Sequence, residues 1–297
     1  MVKMSISKLK IAVVLCCFNR AETTASCLKS IYEQIIEGAD LKVVIVDDGS
    51  TDNTESALNA FPDLIVLRGT GHLYWGGAMT KAIEYCFLKL DFDYIIWIND
   101  DVVLRMSALE EVFKIIETVR QKNTFNNGIF IGPTFDPVSL ELTYGGWKSI
   151  SKLFPLRLKK ISVLNTLILE ECDSMNGNFV VIPKDIARTV GNIDSAFPHT
   201  MGDMDYGYRA LRLGFRLYVL PTYVGSCRLN TLTLGYPRYF TEALKQWNNF
   251  VSIKHFPPHA WLIFNYRYGG VFWFFSFLNP YVKFWVRSIR NIIYHAK

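Results

Sequence analysis

The chain has 297 residues, half of them hydrophobic, and carries a net charge of +5. It is therefore long and apolar enough to bury a large core, as one domain or as one domain with an appendage. The six cysteines are scattered without a CxxC pair, and the apolar run after the N-terminal lysines is too short for a secretory signal. These features argue against a disulfide-rich secreted protein, and we expect a cytoplasmic protein with reduced thiols.

Positive charge is concentrated in the last part of the chain. Residues 231–297 contain eight Lys or Arg residues and one acid, Glu242, so this segment carries +7 and the rest of the chain −2. A basic extension on a nearly neutral body predicts an anionic surface as its partner.

The first half of the sequence alternates apolar runs, polar loops and helical patterns. Strands are predicted at 10–17, 41–46, 64–67 and 94–98, and helices at about 19–32, 78–88 and 108–120. Asn19 followed by Glu22 has the pattern of a capping box for the first helix. This alternation is typical of an α/β domain with a mainly parallel sheet.

The apolar run at 94–98, YIIWI, ends at Asn99, Asp100 and Asp101. An unbroken run of this kind predicts a strand that is buried on both faces. Ligands of parallel sheets bind beyond the carboxyl ends of the strands. Two adjacent carboxylates there repel each other unless a cation or several donors hold them. The alternative is a solvated turn that precedes the next helix.

The second half of the sequence is less regular. Strands are predicted at 128–132, 175–182 and 215–220, a hairpin around Gly145-Gly146, and a helix at 203–213 that ends at Gly214. Pro183 is expected at the first position of another helix. There is no internal repeat and no low-complexity segment.

The polar loop after the first strand and the Asp47-Asp48 pair after the second are predicted to lie at one edge of the sheet. Asp47 and Asp48 would accept hydrogen bonds from a base or a ribose, although turn chemistry alone also explains such a pair. Gly76 and Gly77 open onto a helix N-terminus, where backbone amides and the helix dipole favour a diphosphate. The sequence lacks the glycine patterns of a P-loop NTPase and of a dinucleotide-binding oxidoreductase, which argues against both classes.

Four motifs occur in the order found in a known family. They are CFNR at 17–20, VDDGSTD at 46–52, NDD at 99–101 and GDMDYGYRA at 202–210. Together they resemble the family 2 glycosyltransferases with the GT-A fold, over about residues 10–225. YWGGAM at 74–79 and NGNF at 176–179 are similar to rhamnosyltransferase-like members that build bacterial surface polysaccharides.

The resemblance implies a division of the chain and a fold class. A nucleotide-sugar-binding catalytic domain of the GT-A type is expected at 1–230, as a single α/β domain with a mainly parallel mixed sheet flanked by helices. An aromatic-rich, helical C-terminal extension is expected at 231–297.

The resemblance also implies a divalent cation at 99–101, the place of the family's DxD-type motif. Asp101 is the expected ligand of Mg²⁺ or Mn²⁺, and Asp100 is a second candidate nearer the ribose or the sugar. The cation would neutralise charge that develops on the leaving nucleotide.

The resemblance further implies an inverting mechanism in which Asp203 is the general base. Its carboxylate would deprotonate an acceptor hydroxyl as that oxygen attacks the anomeric carbon. Asp205 is the rival base, and its alternative role is to pair with Arg209 one helical turn along.

The same motifs imply the remaining site residues. Donor contacts are expected from Phe18, Asn19, Arg20, Asp47, Asp48, Gly76, Gly77, Asn99 and Asp100. Contacts with the acceptor or the donor sugar are expected from Trp75, Asn176, Gly177 and His199. The donor is expected to be UDP- or dTDP-linked, and the acceptor a glycan or a lipid-linked oligosaccharide.

Two positions depart from the family pattern. Cys227 stands where the family often has a metal-binding His, and a thiol is a poor ligand for a hard cation. His199 is a candidate substitute, although a loop histidine is more often only hydrogen-bonded. Gly202 replaces the usual Glu beside the base, which removes a charge.

Two other functions are weighed against transfer. The two departures leave open a GT-A domain that has lost catalysis and serves as a binding subunit of a glycan assembly complex. A sugar-phosphate nucleotidyltransferase would need a loop rich in Gly and Arg with a Lys after the first strand, and CFNR at 17–20 supplies none.

The extension contains 19 of the 43 aromatic residues. Its apolar run at 271–278 is shorter than the roughly 20 residues that span a bilayer. Aromatic residues mixed with Lys and Arg are typical of interfacial segments, so we expect peripheral binding to the inner face of the cell membrane. Packing against the catalytic domain or a homodimer contact is the alternative. No nucleic-acid module is visible, so nucleic acid is not expected as a partner.

Overall fold

The protein is described by a computed structural model that covers residues 8–121, 128–162, 168–230, 235 and 237–295. The strands of these ranges are β1 (Leu9–Cys17), β2 (Ala39–Asp47), β3 (Ile65–Arg68), β4 (Tyr94–Ile98), β5 (Val103–Leu104), β6 (Gly128–Ile131), β7 (Thr134–Phe135), β8 (Gly146–Ser149), β9 (Leu158–Lys160), β10 (Glu170–Cys172), β11 (Ser174–Met175), β12 (Phe179–Pro183), β13 (Arg216–Val219) and β14 (Gly225–Ser226). The helices are α1 (Ala21–Tyr32), α2 (Thr54–Leu58), α3 (Tyr74–Lys89), α4 (Ala108–Gln121), α5 (Lys184–Val190), α6 (Gly202–Arg212), α7 (Phe240–Phe250), α8 (Pro258–Tyr268) and α9 (Trp273–His295).

Eight strands form the central sheet, in the order β10-β13-β6-β12-β4-β1-β2-β3. Strand β1 is parallel to β2 and β4, and β2 is parallel to β3, whereas β12 is antiparallel to β4. The carboxyl ends of β1, β2 and β4 therefore meet the amino end of β12 at one edge, which we call the site edge. The register there pairs Ile98 with Phe179. The α/β prediction with a mainly parallel mixed sheet is confirmed.

Strand β4 lies in the middle of this sheet, and all five of its side chains are buried. Ile96 and Ile98 belong to the core that α1 and α4 cover. Ile95 and Trp97 belong to the core on the other face, under α3, α5 and α6. Because both faces are covered, the strand has no position for a polar side chain, which explains the unbroken apolar run.

Helix α8 packs against the loop that precedes α6. Phe264 and Tyr268 form a third apolar cluster with Phe197 and Met201. Arg267 adds an ion pair to Asp194 at 2.7 Å. Part of the extension therefore packs against the segment 194–201, as the packing alternative anticipated.

Helices α7 and α9 pack on each other through aromatic side chains. Trp247 and Phe250 of α7 contact Phe284 of α9, with ring centroids 5.3 and 5.0 Å apart. In the part of the chain that the structure covers, no helix is both long and apolar enough to cross a bilayer.

The predicted capping box is wrong. Asn19 has a left-handed backbone with φ of 52°, and its Oδ1 accepts a 2.7 Å hydrogen bond from the Thr51 amide. Helix α1 starts at Ala21, whose amide donates to Asp52 Oδ2 over 3.2 Å. The side-chain oxygen of Asn19 thus joins two loops of the site edge instead of capping its own helix.

The predicted position of the hairpin turn is wrong. Strand β8 begins at Gly146 and pairs with β9, so the chain reverses over residues 150–157. A Cβ on Gly146 would overlap the side chain of Val219. Close packing, and not a turn, is therefore the reason for glycine at this position.

Two element boundaries also differ from the prediction. Helix α3 begins at Tyr74, so Gly76 and Gly77 lie in its first turn and not in the preceding loop. Pro183 ends β12 and directly precedes α5, instead of occupying the first helical position.

Candidate active site

Asn99, Asp100 and Asp101 follow β4 at the site edge. The Asn99 amide donates to the Asn178 carbonyl over 3.1 Å. Its side-chain Oδ1 accepts a 2.8 Å hydrogen bond from Nε1 of Trp75. Asn99 is therefore fixed between the first turn of α3 and the loop that enters β12, which orients the two carboxylates that follow it.

Asp100 is held by the loop after β1. Arg20 donates to Asp100 at 2.7 Å and to Asp101 at 3.3 Å, and Thr24 contacts the second oxygen of Asp100 at 3.3 Å. Burial raises the pKa of Asp100 to about 6, against the opposing effect of the Arg20 guanidinium. Arg20 thus reduces the repulsion between two adjacent carboxylates.

Asp101 faces the segment after β14. Its Oδ1 lies 3.4 Å from Cys227 Sγ, and its Oδ2 accepts a hydrogen bond from Asn230 Nδ2 at 3.2 Å. Burial raises the pKa of the Cys227 thiol, so the thiol is neutral and donates to the carboxylate. Cys227 therefore lies beside Asp101 as a hydrogen-bond donor.

Asp100 and Asp101 are the candidate ligands of a divalent cation. Within the described ranges, no three His, Cys, Asp or Glu side chains are grouped closely enough to hold a metal ion. Mg²⁺ is commonly bound by one or two carboxylates together with waters and substrate phosphates, so Asp100 and Asp101 fit such a cation without a third protein ligand. His199 belongs to no such group.

Asp203 lies in the first turn of α6. Its Oδ2 accepts a hydrogen bond from the Gly177 amide at 2.7 Å, and its Oδ1 accepts one from the Met204 amide at 2.8 Å. Burial raises the pKa of Asp203, although these two amides act in the opposite direction. The carboxylate is therefore oriented by backbone donors and carries no ion pair in the described structure.

Asp205 has a different environment, two residues further along α6. It is fully buried and accepts hydrogen bonds from Arg209 at 2.8 Å, Arg267 at 3.0 Å and Tyr268 at 2.7 Å. The pairing with Arg209 was the predicted alternative role. With three donors, Asp205 joins α6 to α8, and its role as a base remains a prediction.

Asp47 and Asp48 are both buried. Arg68 and the Ser50 amide contact Asp47 at 2.6 and 2.9 Å. Asp48 Oδ1 accepts from the amides of Thr70 and Gly71, and its Oδ2 from the amide of Tyr74. These carboxylates hold the loop between β3 and α3 against β2. Donor contacts from them remain a prediction.

The first turn of α3 is packed against the loop before α6. The Gly76 amide donates to the Pro198 carbonyl at 2.7 Å, and the Gly77 amide to the Leu73 carbonyl at 3.2 Å. Both amides thus have protein partners, and a diphosphate contact from them remains a prediction. The Trp75 amide lies 3.4 Å from His199 Nδ1, and burial lowers the pKa of His199 to about 4.

Trp75 fits between two glycines. A Cβ on Gly177 would lie 2.8 Å from Trp75 Cζ2, and one on Gly202 would lie 3.4 Å from Trp75 Cζ3 and 3.1 Å from Ile193. At position 202 the contact with the indole is an ordinary one, and the tight neighbour is Ile193. A side chain at this position would require Ile193 to shift, which favours glycine where the family usually has Glu.

Several contacts at the site edge were not predicted. Trp147 of β8 donates to Asn176 Oδ1 at 2.8 Å, and Asn178 lies 3.6 Å from Cys227. Phe18 is 46% exposed at the end of β1, where a ligand can reach its ring. No local pattern identifies Trp147 or Asn230, because they reach the site only through pairing of distant segments.

The chain has an α/β fold of the GT-A type, with a mainly parallel central sheet flanked by helices. The family model of Glycosyl transferase family 2 matches residues 12–160, and the chain belongs to this family. No curated protein matches the sequence significantly.

Solved structures agree with this fold. Mannosyltransferase PcManGT from Pyrobaculum calidifontis, in complex with GDP-Man and Mn²⁺, has a TM-score of 0.53 and 14% identity, covering 97% of this chain and 73% of that chain. TarS from S. aureus, residues 1–349 in complex with UDP-GlcNAc, has a TM-score of 0.55 and 14% identity, covering 91% and 73%. At this identity the likeness concerns the fold.

Proposed function

We propose that the chain is an inverting glycosyltransferase that moves a sugar from a nucleotide-diphosphate donor to a hydroxyl of a glycan or lipid-linked acceptor in surface polysaccharide synthesis. One chain of contacts carries the proposal. The Asn99 amide bonds the Asn178 carbonyl, and the neighbouring Gly177 amide bonds Asp203. The candidate cation ligands and the candidate base are thus supported by the same three-residue loop, 176–178.

The donor side of the site uses Asp101, with Asp100 as the second ligand. A bound Mg²⁺ or Mn²⁺ would neutralise the diphosphate and the charge that develops on the leaving nucleotide. Arg20 contacts both carboxylates and offsets the repulsion between them before the donor binds. The Mn²⁺ in the PcManGT complex supports a divalent cation in this role.

The acceptor side of the site uses Asp203. Its carboxylate accepts the proton of the acceptor hydroxyl while that oxygen attacks the anomeric carbon from the face opposite the nucleotide, which inverts the configuration. The amides of Gly177 and Met204 fix the direction of the carboxylate. Trp75, Asn176, Gly177 and His199 are the proposed contacts for the acceptor or the donor sugar.

We propose a UDP- or dTDP-linked hexose or rhamnose as the donor, and the inner face of the cell membrane as the location. The UDP-GlcNAc and GDP-Man in the complexes of similar fold support a nucleotide-sugar, without distinguishing its base. The 1–230 and 231–297 segments are proposed as the catalytic domain and its extension.

A binding subunit without catalysis is the second candidate. It is favoured by one observation, that no third metal-ligating side chain joins Asp100 and Asp101 in the described part of the chain. The two candidates differ in whether the donor is consumed.

A panel of UDP-, dTDP- and GDP-sugars tests the proposal through release of the nucleotide with and without Mg²⁺ or Mn²⁺. We expect release from one donor of the panel, dependent on the cation and lost in Asp101→Ala. Binding of a donor without any release, in the presence of either cation and of polysaccharide acceptors, would support the binding subunit.

A further inference from the structure

Helix α9 has two apolar faces, and only one of them is covered. Phe284 and Ser288 on its inner face are buried against the rest of the extension. On the opposite face, the side chains of Phe275, Val282, Val286, Ile289 and Ile293 are 50–64% exposed. Because their spacings of seven, four, three and four residues return to the same side of a helix, they form one stripe about 27 Å long.

The turn between β8 and β9 extends this stripe. Ile150, Leu153 and Phe154 are exposed on the turn. Phe154 stacks on Phe272 with ring centroids 5.5 Å apart, and Phe272 contacts Phe275 at 6.3 Å. Two segments that are distant in sequence thus build a single exposed surface, which we call the apolar face.

The border of the apolar face is cationic. Residues 146–160 and 243–297 contain no Asp or Glu. Lys152, Arg157 and Lys159 lie on the hairpin, and Lys283 and Arg290 lie beside the stripe. None of these five forms an ion pair with a described residue, so their charges remain available to an anionic partner.

We propose that the apolar face binds the headgroup region of an anionic lipid bilayer, with α9 lying in the plane of the membrane and the 150–157 turn inserted beside it. Aliphatic and aromatic side chains next to Lys and Arg match such an interface. A symmetric dimer through this face would bring two cationic borders together, which charge repulsion opposes.

A chain of hydrogen bonds links the hairpin of this surface to the candidate base. The hairpin that carries the exposed turn also carries Trp147, which bonds Asn176 next to Gly177 and Asp203. The inference deepens the proposed function and rests on it for the acceptor: a bilayer on this face would present a lipid-linked acceptor on the side of Asp203.

Flotation of the full chain with vesicles tests the proposal. Phosphatidylglycerol–phosphatidylcholine vesicles should bind the parent, less at high salt, and pure phosphatidylcholine vesicles should bind it weakly. The variant Val282→Ser/Val286→Ser/Ile289→Ser should lose about tenfold or more in affinity for anionic vesicles. The variant Lys283→Glu/Arg290→Glu should lose the preference for anionic lipid.

The control is Ile35→Ser/Met106→Ser/Val138→Ser, which removes three apolar side chains that are even more exposed, at 77–88%, elsewhere on the surface. It should float like the parent. Circular dichroism shows whether each variant is folded.

Three results would overturn the inference. The parent does not float, or the stripe variant floats like the parent. Alternatively, light scattering shows that the parent is a dimer and that the three stripe substitutions dissociate it. Measuring nucleotide release distinguishes failure of the membrane inference from failure of the proposed function. A chain that releases nucleotide but does not float retains the function without the membrane surface, and a chain that floats without releasing nucleotide retains the surface alone.

Discussion

The Gly177 amide donates a 2.7 Å hydrogen bond to Oδ2 of Asp203. This contact joins the loop that enters β12 to the first turn of α6, and the carboxylate is half-buried without an ion-pair partner in the described structure. Burial raises the pKa of Asp203 above the ordinary aspartate value. The position therefore combines a carboxylate of fixed direction with an altered titration.

The pH dependence of transfer should reflect this titration. A base acts in its ionised form, so the rate should fall as the pH decreases through the raised pKa of Asp203. The acidic limb of the kcat/KM profile should therefore lie above the pH at which an ordinary aspartate titrates, and the residual activity of Asp203→Asn should lack it. An acidic limb that is identical in the parent and in Asp203→Asn would assign it to another group.

Asp205→Asn should reduce stability more than it reduces donor binding. The substitution leaves Arg209 and Arg267 without the buried carboxylate that accepts their hydrogen bonds, and breaking a buried pair of this kind costs about 3 kcal/mol. Denaturant unfolding measures the loss, with the donor affinity determined at low temperature. An unchanged free energy of unfolding together with lost transfer would instead make Asp205 the base.

Asp101→Ala should abolish the effect of divalent cations on donor binding while the fold remains intact. A lost ligand leaves the diphosphate charge uncompensated, whereas Arg20 keeps its shorter contact, to Asp100, and continues to hold the segment after β4. Calorimetric titration of donor with and without Mn²⁺ measures this effect. Asp91→Asn is the control, since Asp91 is exposed and pairs with Lys10 and Lys184 before the start of β4. Cation-enhanced donor binding in Asp101→Ala would remove Asp101 from the site.

Gly202→Glu, which introduces the residue usual in the family, should reduce stability and transfer. Its Cβ would lie 3.1 Å from Ile193 Cγ2 and 3.3 Å from the Phe197 carbonyl, and overpacking of this kind costs about 1–3 kcal/mol. Gly145→Ala is a suitable control, because its Cβ would meet only ordinary contacts of 3.5 Å or more. A Gly202→Glu variant that is as stable as the parent and more active would show that the glycine impairs the site.

The sequence predicted elements whose cause is local. Strand β4 was placed correctly at 94–98, because burial on both faces requires an unbroken apolar run. The polar residues after β1 and β2 were also predicted to share one edge, since parallel strands end together. Burial and strand direction are both visible in a single sequence.

Other features depended on contacts between distant segments. Asn19 has the residue type of a helix cap but bonds the Thr51 amide instead, and Gly146 resembles a turn residue but packs against Val219. Trp147 and Cys227 reach the candidate site through strand pairing that no local pattern encodes. Residue type indicated that these positions were special, and tertiary packing determined why.

The most direct test of the proposed mechanism compares donor binding with single-turnover transfer in Asp203→Asn. The amide keeps the size of the carboxylate but cannot take a proton from the acceptor. Donor affinity measured by calorimetry should remain within about threefold of the parent, while the transfer rate in rapid-quench experiments should fall about 10²-fold or more. Transfer by Asp203→Asn at the parent rate, with equal donor affinity, would contradict the assignment of Asp203 as the base.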